Sequence, residues 1–250
     1  MQAKGDMADR VAVIVGGGGG IGAAVAGSLG AAGCRVALLD LEQQALDAAI
    51  GTLALGERAM AVRVDITEVE QVRAAAESVQ ARFGRVDMLV NSAGTNTRQR
   101  TLDDMTPEQW KLVIDVNLSG AFHCTYAFLP LLRRNGGTIV TIVSTAAHLT
   151  SSGAGTHYCA SKRALLAFTE SINLEQGKYG VRACAISPGE VDTPLIEKRP
   201  SAPSPERRAA MLQPSDVAEA VYFAVSRPAR VTVSDIIIWP SAQISGTYVV

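Results

Sequence analysis

The chain has 250 residues, 48% of them hydrophobic and 5% aromatic, and its formal net charge is −1. This charge argues against a nucleic-acid-binding surface, which is basic, and the scarcity of aromatic residues argues against a platform for stacked bases. No apolar run reaches the ~18 residues of a membrane span, and the N-terminus lacks the apolar core of a signal peptide, so we predict no nucleic-acid or membrane partner.

The first predicted element follows residues 1–9, which we expect to be a flexible tail. Val11–Val15 is a continuous apolar run typical of a buried parallel strand, and a glycine run and an amphipathic helix follow it directly. Glycines let main-chain N–H groups approach an oxyanion, and a helix N-terminus adds a favourable dipole, so this unit is predicted to bind phosphate. Two spacings fit: Gly17, Gly19 and Gly22 match G-x-G-x-x-G, and Gly16, Gly20 and Gly22 match G-x-x-x-G-x-G.

A second predicted strand, residues 35–39, ends at Asp40. This acid lies 18 residues past Gly22, close to the ~20 at which a carboxylate in dinucleotide folds accepts hydrogen bonds from the adenosine ribose. A carboxylate there would also repel the additional phosphate of NADP, and Leu41 supplies no compensating cation. We therefore predict a ribose contact and a preference for NAD. The alternative is an N-cap for a helix over residues 41–55.

The third predicted strand, residues 59–64, stops at Asp65. Thr67 and Glu70 then match a capping box, which predicts a helix that continues to about residue 83.

The fourth predicted strand, residues 86–90, is followed by Asn91 and the small residues 92–94. Thr106 and Gln109 match a second capping box, with proline at the first helical position. The helix that they open contains Asn117. Asparagine is an indifferent helix former, so this residue has either a local hydrogen-bonding role or a functional one.

The second half of the chain continues the alternation of strands and helices. A fifth strand over residues 138–143 ends at Ser144, a helix covers residues 157–179, and a sixth strand over residues 181–187 precedes Pro188 and Gly189.

Residues 195–214 are rich in proline and basic residues, and we expect them to form a mobile substrate lid with a short helix after Ser204. Ser215 and Asp216 are predicted to cap a helix to about residue 226, and residues 231–238 complete the series as a last strand.

This order of elements predicts an α/β chain. We expect a single-domain Rossmann fold over residues 10–250, with a doubly wound parallel sheet of about seven strands and helices on both faces. In such sheets ligands bind beyond the carboxyl ends of the strands. The positions that fall there are 16–22, Asp40, Asn91, Ser144, and Pro188 with Gly189.

A tyrosine and a lysine open the helix that follows Ser144. Tyr158 and Lys162 are four residues apart and share one helix face, so a fixed positive charge would favour the phenolate and lower the tyrosine pKa. A hydroxyl at Ser144 could hold a substrate oxygen while charge develops on it. The three residues predict an acid/base centre.

Taken together and in this order, the motifs resemble those of the classical short-chain dehydrogenases/reductases. The resemblance covers residues 11 to about 238. It rests on Gly16, Gly20 and Gly22, the 91–94 segment, Asn117, Ser144, Tyr158 with Lys162, and Pro188-Gly189 with Thr193. It implies hydride transfer with a nicotinamide cofactor.

The resemblance further implies individual roles in catalysis. Tyr158 would be the general acid/base, and Lys162 would bind the nicotinamide ribose and depress the tyrosine pKa. Ser144 would orient the alcohol or carbonyl, and Asn117 would hold a water in the proton relay.

For the cofactor, Asp65 would contact the adenine and Asn91 would steady the sheet. Val191 and Thr193 would contact the carboxamide end. The other implied cofactor residues are Gly16, Gly19, Gly20, Ile21, Gly22, Asp40, Ile66, Ala93, Gly94, Tyr158, Lys162, Pro188 and Gly189.

The chain departs from the family pattern at several positions. Val15 replaces a threonine whose hydroxyl ties the glycine loop to the strand, which predicts a looser loop, and Ser92 replaces a second asparagine. Ser144 lies 14 residues before Tyr158, one more than usual, so Thr145 is an alternative hydroxyl; the alignment of the strand favours Ser144.

Several further residues are candidate substrate contacts: Thr145, His148, His157 and Glu190. Basic residues of the lid, Lys198, Arg199, Arg207 and Arg208, would attract an anionic substrate, or they form a solvated surface.

We therefore predict an NAD(H)-dependent oxidoreductase that interconverts a secondary alcohol and a ketone, with NADP a less favoured cofactor. The alternatives are a non-catalytic nucleotide-binding or regulatory module and a non-redox reaction such as dehydration. The four cysteines lack zinc-ligand spacing, which favours reduced thiols in a cytoplasmic enzyme without a metal. The family resemblance implies a homo-oligomer, a tetramer or a dimer.

Overall fold

The computed structural model describes residues 7–244. Within them, seven strands form one parallel sheet in the order β3-β2-β1-β4-β5-β6-β7. The strands are Val11–Val15 (β1), Arg35–Asp40 (β2), Ala59–Arg63 (β3), Met88–Asn91 (β4), Thr138–Ile142 (β5), Arg182–Pro188 (β6) and Asp235–Ile238 (β7). The predicted doubly wound sheet is confirmed.

Helices cover both faces of this sheet. They are Gly20–Ala31 (α1), Gln43–Leu53 (α2), Val69–Phe83 (α3), Pro107–Ile114 (α4), Gly120–Arg133 (α5), Thr156–Gln176 (α6), Pro205–Ala209 (α7), Pro214–Val225 (α8) and Ser241–Ile244 (α9). Successive strand residues point to opposite faces. Ile14 therefore packs with Val25 of α1 and Val221 of α8, while Val13 packs with Phe128 of α5 on the other face.

The strand order reverses beside β1. The chain builds β2 and β3 on one side of β1 and then returns to place β4 on the other side, so Val15 pairs with Asn91. The connections after β1 and β4 leave in opposite directions, and the gap between them is where ligands bind in sheets of this kind.

One of the two predicted capping boxes is confirmed. The Thr106 hydroxyl accepts a hydrogen bond from the Gln109 N–H at 3.3 Å, and the Gln109 side-chain oxygen accepts one from the Thr106 N–H at 3.0 Å. The box at Thr67 is wrong, because the N–H and the hydroxyl of Thr67 both donate to the Asp65 carboxylate, at 2.9 and 2.7 Å. A carboxylate two residues upstream is the stronger local acceptor, and α3 starts later, at Val69.

The last two predicted elements also begin elsewhere. The N-cap of α8 is Gln213, whose N–H donates to the Asp216 carboxylate at 2.8 Å, so Ser215 does not cap the helix. Strand β7 is half as long as predicted, since it begins at Asp235 rather than at residue 231. The Val231 carbonyl accepts a hydrogen bond from the Arg182 guanidinium at 2.6 Å instead of pairing with a strand.

The expected tail is partly packed. Met7 is 2% exposed in the hydrophobic core, and its carbonyl accepts a hydrogen bond from the Cys34 thiol at 3.3 Å. The expectation of a loose segment is wrong at Met7, and residues 1–6 lie outside the described part of the chain.

Helices α4 and α5 are joined by a π-helical turn, Asp115–Ser119, in which the Gly120 N–H bonds to the Asp115 carbonyl. The continuous stretch Pro107–Arg133 is long and apolar enough to cross a membrane by length and composition, a test that core helices also pass. Its residues Cys124 and Phe128 are fully buried against the sheet.

Candidate active site

A cleft of about 1680 Å³ lies at the carboxyl ends of the strands. Most of the residues predicted for the site line it: Gly16, Gly19, Gly20, Ile21, Asp40, Asp65, Ile66, Ala93, Gly94, Ser144, Thr145, Tyr158, Lys162, Pro188, Gly189, Glu190, Val191 and Thr193. Five predicted residues are not part of its lining: Gly22, Asn91, Asn117, His148 and His157.

The glycine loop requires glycine at the G-x-x-x-G-x-G positions. Gly16 and Gly20 have φ angles of 77° and 53°, which side chains rarely adopt. A Cβ on Gly22 would lie 2.0 Å from the Gly16 carbonyl oxygen. Gly19, by contrast, is extended and has open space around it. Gly22 thus allows the first turn of α1 to pack closely against Gly16, although Gly22 itself does not line the cleft.

Asp40 fastens the loop that Val15 leaves without a hydroxyl. The Gly16 N–H donates to the Leu39 carbonyl at 2.8 Å, and the Gly18 N–H donates to the Asp40 carboxylate at 2.9 Å. These two hydrogen bonds tie the loop to β2. The prediction of a looser loop, which was based on Val15 alone, did not include them. Asp40 also lines the cleft, where it remains available to a ligand.

A cation near Asp40 escaped the sequence analysis. Arg63 ends the neighbouring strand in register with Asp40, and its guanidinium donates to the Leu41 carbonyl at 3.1 Å. The sequence neighbours of Asp40 do not indicate this arginine, because it is the pairing of β2 with β3 that brings Arg63 close to Asp40.

The residues predicted to form the acid/base centre lie just after β5 and at the start of α6. The Ser144 side chain interacts with the Tyr158 hydroxyl and lowers its pKa, and the Ser144 hydroxyl accepts a hydrogen bond from the Ala146 N–H at 3.2 Å. The Lys162 ammonium donates to the Ile142 carbonyl at 2.9 Å and lies 5.6 Å from the centroid of the Tyr158 ring. Thr145 begins a short 3₁₀ turn that Ser144 caps, and of the two candidate hydroxyls Ser144 is the one that affects the pKa of Tyr158.

The electrostatics differ from the expectation based on Lys162. Burial raises the pKa of Tyr158, while the hydrogen bond from Ser144 and the charges of Arg100 and Arg199 lower it in part. Burial also lowers the pKa of Lys162 to about 8. The expected depression of the tyrosine pKa is therefore absent in this structure, because desolvation of the phenolate outweighs the nearby charges.

Asn117 is buried and its side chain joins three parts of the site. Its amide oxygen accepts from the Thr95 N–H at 2.7 Å, and its amide nitrogen donates to the Thr95 carbonyl and the Ser161 hydroxyl, each at 3.0 Å. A Cβ on Gly94 would lie 3.5 Å from both the Asn117 oxygen and the Lys162 nitrogen. The asparagine thus holds the 94–95 backbone against α6.

Three other predicted residues do not line the cleft and have partners elsewhere. Asn91 donates to the Thr125 hydroxyl at 3.2 Å and so links β4 to α5. His148 pairs with Ser187 at 3.0 Å, and His157 pairs with Thr97 at 2.8 Å. Burial and the charge of Arg100 lower the pKa of His157. The bond of Asn91 to Thr125 agrees with its predicted role of steadying the sheet, and the cofactor contact of Asn91 and the substrate contacts of both histidines stay predictions.

Arg100 was not singled out by its sequence context, although it lines the cleft and is only 7% exposed. Its guanidinium donates to the carbonyls of Thr97 and Lys198, each at 3.0 Å, and to that of Gly153. Three loops distant in sequence converge on this side chain, so no local pattern could have indicated it.

A short-chain dehydrogenase family model matches residues 10–203, and the chain belongs to this family. The short-chain reductase NovJ of Streptomyces niveus is 35% identical over 234 residues, which cover 88% of each chain.

Two solved structures are similar throughout. One is an alcohol dehydrogenase of the archaeon Thermococcus sibiricus complexed with 5-hydroxy-NADP (TM-score 0.84, 30% identity, 94% of this chain and 97% of that one). The other is a 3-ketoacyl-(acyl-carrier-protein) reductase of Brucella melitensis complexed with NADH (TM-score 0.83, 26% identity, 94% and 98%).

Proposed function

We propose that the protein is an NAD(H)-dependent oxidoreductase that interconverts a secondary alcohol and a ketone. The observation that carries this proposal is that Ser144, Tyr158 and Lys162 line the same cleft as the glycine loop, with the Ser144 side chain close enough to Tyr158 to lower its pKa. A general acid/base must reach the reacting oxygen directly, and two hydroxyls in contact can share one substrate oxygen.

The glycine loop supports a bound dinucleotide. Gly16, Gly18 and Gly20 line the cleft at the N-terminus of α1, where main-chain N–H groups and the helix dipole favour a pyrophosphate. When bound, the nicotinamide ring donates or accepts the hydride. The residues proposed to hold the remainder of the cofactor are Asp40, Asp65, Ile66, Ala93, Gly94, Lys162, Pro188, Gly189, Val191 and Thr193.

The chain supplies the proton chemistry. Ser144 is proposed to hold the substrate oxygen by donating a hydrogen bond, and Tyr158 to deliver the proton during ketone reduction or to remove it during alcohol oxidation. Lys162 is fixed by the Ile142 carbonyl and is proposed to supply positive charge that favours the phenolate. Asn117 fixes the backbone between these groups and is proposed to order a water behind Lys162.

Asp40 is proposed to select NAD. We expect Asp40→Ser to lower kcat/KM for NAD about 10- to 100-fold, because a charge-assisted contact with the ribose is lost. We expect kcat/KM for NADP to rise, because the carboxylate no longer repels the ribose phosphate of NADP. Arg63, in register with Asp40 on the neighbouring strand, is the cation proposed to attract that phosphate. Steady-state rates with both cofactors measure the change, and Asp47→Ser, on the exposed part of α2, is the control. An unchanged cofactor ratio would contradict the assignment.

We also infer a homo-oligomer and a cytoplasmic location. The stacked rings of Phe122 and Tyr126 on α5 are 48% and 54% exposed, an apolar surface that a second copy would cover. The four cysteines are buried and unpaired, as in a protein from a reducing compartment.

The experiment for the redox function is absorbance of the reduced nicotinamide with NAD or NADP across a panel of secondary alcohols and ketones. Turnover with NAD supports the proposal. NADH binding without turnover by any member of the panel would favour the non-catalytic alternative, and binding of neither cofactor would overturn the proposal.

A further inference from the structure

The half of the cleft beyond the acid/base residues carries an excess of positive charge. This substrate half is formed by residues 96–100, 144–158 and 190–207. Among the described residues that line it, the cations are Arg100, Lys198, Arg199 and Arg207, whereas Glu190 is the one carboxylate. The other acids of the cleft, Asp40, Glu42 and Asp65, lie at its opposite end.

Glu190 cannot neutralise this charge. Its side chain is 4% exposed and accepts two hydrogen bonds from Arg207, at 2.7 and 3.1 Å. It also forms an ion pair with Arg199 at 2.6 Å. Burial opposes its ionisation, but the two arginines together hold its pKa below the usual range. One negative charge is therefore shared by two positive charges, and this group of three side chains has a net charge of +1.

Lys198 has no acidic partner. Its ammonium donates to the Thr95 hydroxyl at 2.7 Å, and no described carboxylate forms an ion pair with it within 4.0 Å. It is an exposed residue at the rim of the cleft. Its charge is thus available to a ligand that enters between the lid and the 94–95 backbone, next to the groups that hold Asn117 in place.

Arg100 is nearly buried, and it too forms no ion pair with any carboxylate in the part of the chain that the structure describes. Its described hydrogen bonds go to three carbonyl oxygens, one of them that of Lys198 at 3.0 Å. Carbonyl dipoles stabilise a buried guanidinium only in part, and a nearby anion would stabilise it further. Arg100 therefore fixes the backbone of Lys198 and adds to the positive potential there.

The charges lie close to the reacting group. Arg100 and Arg199 are both near enough to Tyr158 to lower its pKa. An anion paired with these side chains would consequently lie in the same half of the cleft as the Tyr158 hydroxyl.

We propose that the substrate is a hydroxy or oxo compound that carries an anionic oxygen group, a carboxylate or a phosphate, bound by Lys198 and Arg199. Arg100 is a positioning residue for this anion site. That the bound anion is a substrate rests on the proposed redox function, but the anion site itself can be tested without turnover.

The kinetic test compares matched pairs of ketones that differ in charge: 3-oxobutanoate with its methyl ester, and dihydroxyacetone phosphate with dihydroxyacetone. In the wild-type protein we expect the anion of at least one pair to have the higher kcat/KM. Lys198→Gln and Arg199→Gln should each lower kcat/KM for that anion about 10- to 100-fold, mostly through KM, and change the neutral partner less than about 3-fold. Which pair responds distinguishes carboxylate from phosphate.

Arg208→Gln is the matched control. Arg208 belongs to the same segment but does not line the cleft, and it pairs with Asp192 at 2.7 Å and Glu197 at 3.1 Å. We expect this variant to treat anionic and neutral ketones as the wild type does. Equal losses for charged and neutral ketones in the Lys198 and Arg199 variants would overturn the proposal, even with the redox function intact.

A binding measurement separates the anion site from the chemistry. Calorimetric titration of 3-oxobutanoate and dihydroxyacetone phosphate into the NADH-loaded Tyr158→Phe protein should show at least one anion binding about 10-fold more weakly after Lys198→Gln or Arg199→Gln. This result would support the anion site even if the wild type turned over no ketone, which would remove the redox function alone. Affinities independent of Lys198 and Arg199 for both anions would overturn the anion site.

Discussion

Replacement of Tyr158 by phenylalanine is expected to lower kcat about 10³-fold or more and to change NADH affinity less than about 3-fold. General acid/base catalysis contributes roughly 10²–10⁴ to a rate, and the Tyr158 hydroxyl is the group that we propose gives or takes the proton. Phenylalanine keeps the ring that lies beside Lys162, so the cofactor side of the cleft is preserved. Initial rates and an NADH fluorescence titration measure the two quantities.

Tyr179→Phe is the control, because it removes a tyrosine hydroxyl at a site away from the cleft. Tyr179 is 45% exposed and stacks with Arg133, with a distance of 4.4 Å from the guanidinium to the ring centroid. Its kcat should match that of the wild type. A Tyr158→Phe protein that kept more than about a tenth of the wild-type kcat would assign the acid/base role to another group.

The second large effect is expected from Gly22→Ala. A Cβ at this position would lie 2.0 Å from the Gly16 carbonyl oxygen and 2.7 Å from the Gly16 carbonyl carbon, so the loop and the first turn of α1 must separate. We expect NADH affinity to fall at least about 100-fold, because the N–H groups move away from the phosphates. The free energy of unfolding should fall by about 1–3 kcal/mol, as in overpacked cores.

Gly27→Ala tests the same substitution on the same helix. A Cβ there would approach Leu53 at 3.8 Å, an ordinary contact, and alanine favours a helix over glycine by up to ~1 kcal/mol. Thermal unfolding should therefore be unchanged or shift upward, with NADH affinity retained. If the two variants lost stability and affinity alike, the close approach of Gly22 to Gly16 would not be the cause.

The sequence predicted the sheet because continuous apolar runs and glycine turns are local signals. It also placed Ser144, Tyr158 and Lys162 at one edge, since the carboxyl ends of parallel strands share that edge. It failed where two neighbours compete for one hydrogen bond, as at Thr67, where the Asp65 carboxylate took both donors of the predicted cap.

Side-chain direction was a second limit. The sequence made His148 a candidate substrate contact, but it could not show that the imidazole pairs with Ser187. Arg63 and Arg100 have no local signature at all, because their importance comes from strand pairing and from three converging loops. The pKa of Tyr158 could not be read from the spacing of Lys162, since burial is a property of the whole fold.

The π-helical turn at Asp115–Ser119 also fixes the rotational phase of everything that follows it. An α-helix advances about 100° per residue, so the one additional residue of a π turn rotates the later side chains by that angle. In the present phase Cys124 and Phe128 face the sheet, and Phe122 and Tyr126 face outward. Deleting one residue here would straighten the helix, remove Asn117 from the Thr95 backbone and turn the outward rings toward the core. We therefore expect a single insertion or deletion in this turn to disrupt both the contact between Asn117 and Thr95 and the burial of Cys124 and Phe128.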